Sequence, residues 1–165
     1  MATVYSDVRT DLTQDDPREV VKGNQLGGEI RIARATYTTL GTEAADDVIE
    51  LFALPQGARI VYGHITNDDL GTDVNVSIGH AAYTNGAGTA VDADADEFLA
   101  ATDLSSAAGR TEIAATLALG SGTEVSLDQS LAGNEYVVTA TLTDAGSYSL
   151  DADKVIEAVM FYVVN

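Results

Sequence analysis

From about residue 29 onward, apolar and polar positions alternate with a period of two. Val74, Val76 and Ile78 interleave with Asn75, Ser77 and Gly79, and Val125 and Leu127 interleave with Glu124, Ser126 and Asp128. Ile113, Ala115, Leu117 and Leu119 form one file opposite Ala114, Thr116 and Ala118. Tyr136, Val138, Ala140 and Leu142 share a face against Thr139 and Thr141. Successive side chains of a strand point to opposite faces, so each file predicts a half-buried strand. Val155–Val164 is apolar on both faces beyond Glu157, as expected of a central strand covered on two sides. Runs at Glu29–Tyr37, Asp47–Leu54 and Arg59–Thr66 bring the expectation to about eight strands. Gly, Asp and Asn punctuate the gaps, and proline stands only at positions 17 and 55. The pattern predicts an all-β chain, an antiparallel β-sandwich or jelly roll. One window departs from it: Asp94 to Thr102 predicts a short helix with Phe98 and Leu99 tucked under a sheet edge. Asn67-Asp68-Asp69-Leu70-Gly71-Thr72 reads as a hairpin loop centred near position 70.

Charge divides the chain differently. The first 34 residues hold Arg9, Arg18, Lys22, Arg31 and Arg34 against six acids, while the rest hold 20 acids against Arg59, Arg110 and Lys154. We therefore expect a near-neutral N-terminal arm, residues 1–28, and a strongly acidic β domain over 29–165. Within the arm, Gln14-Asp15-Asp16-Pro17 is a turn signal and Gly27-Gly28 a hinge. Such an arm either lies along its own domain or reaches a neighbouring subunit. With a net charge of −18 the chain repels nucleic acid and anionic membrane, so neither is expected as a partner. The start of the chain has no basic segment followed by an apolar one, so no signal peptide is expected, and production in a cytoplasm is. The run Ala158–Val164 is far shorter than the roughly 20 residues of a membrane helix.

Candidate chemistry is sparse. There is no cysteine, which removes disulfides, thiolate metal sites and cysteine nucleophiles. His64 and His80 are the only residues of a type that titrates near neutrality when unperturbed. Across the expected hairpin they would stand four residues apart, roughly 13 Å, too far to share a metal or a proton. The best metal candidate is a calcium loop of Asp92, Asp94, Asp96 and Asp103, with carboxylates at loop positions 1, 3, 5 and 12. Glu97 stands where the sharp turn wants glycine and flanking helices are not expected, so these acids also read as a solvated helix cap. Ser77, Ser105, Ser106, Ser121 and Ser126 sit in no nucleophile elbow. Without tryptophan, a glycosidase cleft lacks its usual platform. We expect no enzyme and no cofactor.

The order of segments resembles a family. Leu54-Pro55-Gln56-Gly57-Ala58-Arg59-Ile60-Val61 joins two strands through a Pro–Gly turn. The alternating Val74–Gly79 strand, the segment Asp94–Gly109 and a closing Val-Met-Phe-Tyr-Val-Val follow. Over roughly residues 48 to 165 this order is similar to capsid decoration (cement) proteins of tailed bacteriophages. The resemblance implies a structural protein, often trimeric, that binds the outer face of a capsid shell through the major capsid protein and reinforces it. It carries over no catalytic residue. The arm, with Arg9, Arg18 and Lys22 and the apolar Val4, Tyr5, Val20 and Val21, is the expected contact with shell or neighbouring subunit. Two alternatives stand beside this: a tail or baseplate component, and a glycan-binding module using Tyr62, Tyr83, Tyr136 or Tyr148 as platforms.

Overall fold

The computed structural model describes residues 29–105, 107–113 and 124–164. They form ten strands: β1 (Ile30–Thr38), β2 (Val48–Leu54), β3 (Ala58–Asn67), β4 (Gly71–His80), β5 (Tyr83–Thr84), β6 (Ala90–Val91), β7 (Asp94–Asp103), β8 (Gly109–Ile113), β9 (Tyr136–Leu150) and β10 (Val155–Val164). A first four-stranded sheet has the order β1-β10-β3-β8, a second has β2-β9-β4-β7, and β5 and β6 pair separately. Every pairing is antiparallel. Apart from β4 to β7, each consecutive strand of the two large sheets lies in the other sheet from the one before it. Both sheets feed one core: Ile60, Ile65, Ile156 and Met160 come from the first, and Val76, Ile78, Val138 and Leu142 from the second.

Most strand expectations land close to the observed spans, and β10 coincides with Val155–Val164. Three do not. The Asn67–Thr72 segment is no hairpin, because β3 and β4 belong to different sheets. Its physical centre is Leu70, fully buried, whose carbonyl accepts from the Asp151 N–H at 2.9 Å. An apolar residue in the middle of a short connection drags the chain across the core instead of turning it back at the surface. The Asn67 side chain steadies the crossing by donating to the Asp68 carbonyl at 2.7 Å.

The expected helix at Asp94–Thr102 is strand β7, and no helix occurs among the described residues. Phe98 is buried and Leu99 packs partly buried against the core, and two adjacent apolar residues give a helix no stripe to pack. The strand is bulged. Thr102 faces Val76, Leu99 faces Ile78 and Asp94 faces His80, so extra residues accumulate on β7 and hide the period of two. Finally, Val125 and Leu127 are buried as alternation requires, yet they belong to no strand; one bridge, Arg59 to Glu124, is formed there. In the file starting at Ile113, Ile113 closes β8 and the remaining positions lie outside the described residues.

Candidate functional site

The outward face of the first sheet is set by its register. On β1, Ala33 and Tyr37 pack against the core, so Ile30, Ile32, Arg34 and Thr36 point out. Ile32 stands beside Phe161, and Phe161 beside Tyr62. Arg34, Val159, His64 and Glu112 form the next row, and Thr36, Glu157, Thr66 and Arg110 the one after. Val159 and Val163 are buried but stand outside the core cluster, because they lie on this outer side. The rings of Tyr62 and Phe161 are 5.9 Å apart, and His64 lies 6.2 Å from Tyr62 and 6.5 Å from Phe161. At the rim, Ile30 and Ile32 are each 61% exposed and Val61, the extra residue of a bulge in β3, is 56% exposed.

Charges on this face are paired. Arg34 meets Glu157 at 2.5 Å, Arg59 meets Glu124 at 3.0 Å, and Arg110 donates to the Tyr62 hydroxyl at 3.2 Å. Burial lowers the His64 pKa and the Arg110 charge lowers it further, while Glu157 pulls the other way. At neutral pH the ring is therefore uncharged and extends the apolar centre. Arg31 and Arg34, grouped with the arm on charge alone, are residues of β1 and belong to this sheet. The outward side of the second sheet contrasts with it. There the rows are Glu50–Thr139–Gly79, Val48–Thr141–Ser77 and Thr143–Asn75–Asp103, mostly small or polar residues with an exposed Val48 at the edge strand.

A second cluster gathers at one end of the second sheet. His80 Nε2 lies 3.0 Å from Glu97 Oε2, and Nδ1 lies 2.9 Å from the Ala81 carbonyl. The Tyr136 hydroxyl donates to the same Glu97 oxygen at 3.2 Å. The Tyr83 ring meets His80 and Tyr136 edge-on at 5.4 and 4.9 Å. Burial and the Glu97 charge, with the hydrogen bond to Glu97, all raise the Tyr136 pKa, and burial and Glu97 raise that of Tyr83. The two histidines thus lie in different sheets, His64 on an outer face and His80 in a closed aromatic nest. His80 and Tyr136 are buried, so this cluster joins β4, β7 and β9 and offers a solute little beyond Glu97.

The calcium candidates are not brought together. Asp94 and Asp103 stand at opposite ends of β7, facing His80 and Asn75 across the sheet. Five residues of partner strand separate those rows, roughly 17 Å. Asp94 accepts from its own neighbour, the Asp96 N–H, at 3.1 Å, and Asp103 accepts from the Ser105 hydroxyl and N–H. Among the described residues no three His, Cys, Asp or Glu side chains gather as a metal site. The arm residues Val4, Tyr5, Arg9, Arg18, Val20, Val21 and Lys22 lie outside the described residues. Of the candidate glycan platforms, Tyr136 is buried and Tyr83 and Tyr148 pack against the core, which leaves Tyr62 on the outer face. What the sequence reading missed is that face itself. Its signal was Ile30, Ile32 and Phe161 on the polar-side parity of their strands, legible only once the inward parity was known.

No protein-family model and no curated protein matches the chain. Solved structures do. A chain in the capsid of Ralstonia phage GP4 is 24% identical, with a TM-score of 0.62 over 84% of this chain and 86% of its own. A chain in the capsid asymmetric unit of cyanophage Pam1 is 18% identical, with a TM-score of 0.53 over 92% of this chain and 97% of its own. At these identities the likeness is one of fold. It runs through nearly the whole of each chain, so this all-β, antiparallel arrangement is one that chains of two phage capsids share over their length.

Proposed function

We propose that the chain is a structural protein of a phage virion, and that it decorates the outer surface of the capsid shell and stabilises it. One observation carries this reading: the fold is matched over 84% and 92% of this chain by chains found in two phage capsids, which are themselves covered to 86% and 97%. The winding of strands from sheet to sheet is read here as an eight-stranded jelly roll with the β5–β6 hairpin inserted. Three further features favour an accessory position on the outside. The chain is small, its −18 charge opposes contact with packaged DNA, and its buried polar cluster is closed to solutes. In this reading the major capsid protein is the partner, the decorating unit is a homotrimer, and residues 1–28 reach the shell or a neighbouring subunit. An arm of that kind loses entropy when it orders, which its new contacts must offset.

The experiment is reconstitution. Full-length protein is mixed with undecorated capsids of the phage that encodes it, sedimented, and imaged. Saturable, even coverage of the shell is the expected result, with a raised temperature of capsid rupture. Absence of binding overturns the reading, and density confined to one vertex makes the chain a tail component instead.

A further inference from the structure

We propose that copies of this chain associate through the outward face of the first sheet, the β1-β10-β3-β8 face that carries Ile32, Phe161 and Tyr62. Three observations on this face point to a second copy as its occupant.

The first is charge. Arg34, Arg59 and Arg110 stand here with Glu112, Glu124 and Glu157, so the face sums to zero within a chain of net −18. Two copies meeting by a strongly acidic surface add local repulsion to that of their net charge, whereas two copies of this face add none. The second is exposed apolar surface. Ile30, Ile32, Val61 and Val155 are all exposed on these strands, around a centre of Phe161, Val159 and Val163. The outward side of the second sheet has mostly small or polar residues in the same place, with Val48 exposed on its edge strand. The third is size. Three strands of nine or ten residues and a fourth of five, at about 3.3 Å per residue and about 4.8 Å apart, give a face of about 540 Å². Two such faces in contact reach about 1,100 Å², at the threshold for a specific interface. Among the described residues β1 is an edge strand of this sheet, and a neighbouring copy can also meet its border.

The test is the mass of the full-length protein in solution, by light scattering across a micromolar concentration range. The expected mass is a multiple of one chain. Ile32→Lys and Val61→Lys each sit at an exposed position, so the circular dichroism melt is expected to be unchanged while the dissociation constant rises at least tenfold. Leu131→Lys, on an exposed turn away from this face, leaves the mass unchanged. Because each copy carries a large like charge, added salt strengthens the association several-fold instead of weakening it.

A wild-type mass of one chain, or assemblies that survive Ile32→Lys, overturns the proposal. If deleting residues 1–28 converts a single chain into assemblies, the arm and not a second copy covers the face. A single-chain protein whose Ile32→Lys variant loses only capsid loading would assign the face to the shell. The inference rests on no part of the capsid reading, and failure to load capsids leaves the mass measurement standing.

Discussion

Gly79 is the residue where the backbone has least room. A Cβ built on it would stand 1.8 Å from the Asp94 carbonyl oxygen and 2.5 Å from the Ala95 carbonyl carbon. Those atoms are backbone of the bulged strand, so no side chain can swing away. We predict that Gly79→Ala destabilises by at least about 3 kcal/mol, read from thermal or urea melts. Glu43 marks a different constraint. Burial alone would raise its pKa, but the Tyr37 hydroxyl and the N–H groups of Leu40 and Thr42 together hold it at about 2. A carboxylate depressed in the native state contributes stability above its ordinary value of 4.5, and that contribution is lost as pH falls from 4.5 to about 2. At this partly exposed site the loss is about 1–2 kcal/mol. Glu43→Gln is expected to lose that part of the acid sensitivity, so its melting temperature falls less than the wild type's between pH 5 and pH 2.5. His64 adds a second, earlier step. With a pKa below its ordinary 6.5, its share of stability is full at neutral pH and lost as pH falls below that value.

At the scale of elements, β7 is the instructive case. Its irregular pairing with β4 leaves Phe98 as the one buried residue of the strand, at 3% exposure, with Leu99 partly buried against the core and Ala100 and Ala101 outside. Phe98→Ala is therefore expected to cost about 3–4 kcal/mol, and Ala101→Ser to fall within about 0.5 kcal/mol of wild type, both by chemical denaturation. The same irregularity explains why this stretch reads as a helix. A two-residue period is visible over Val74–Gly79 of β4, where the register with β9 runs on, and is lost in β7, where extra residues crowd the strand. Partners are less legible than strands. Period and burial identify Val76 and Ile65 as inward-facing, yet nothing local tells that their strands belong to opposite sheets. Leu70 held the clue, as an apolar residue in a segment otherwise made for a surface turn. The outer face of the first sheet was hidden for the same reason. Ile32 beside Phe161 beside Tyr62 is a fact of pairing between segments more than a hundred residues apart in part, and no window of sequence contains it.

At the scale of the molecule, attachment and folding are separate duties. If residues 1–28 serve attachment, their deletion leaves the melting temperature within about 2 °C, since the described core is built without them. Capsid loading by the shortened protein is then expected to fall, as measured by sedimentation. The part contributed by Arg9, Arg18 and Lys22 should fade with salt, because charge contacts are screened beyond about 8 Å at physiological ionic strength. The place of β10 between β1 and β3 has a further consequence, in the order of events during synthesis. β1, β3 and β8 leave the ribosome long before the strand that joins them, and until it arrives the first sheet has no middle. Hairpin-by-hairpin folding is closed to a chain whose neighbours in sequence are seldom neighbours in a sheet, and such long-range pairing is slow. A nascent chain stopped at Leu150 lacks Phe161, Val159 and Val163 altogether. The outer face is therefore complete only once the last strand has been made, after every other strand of both sheets.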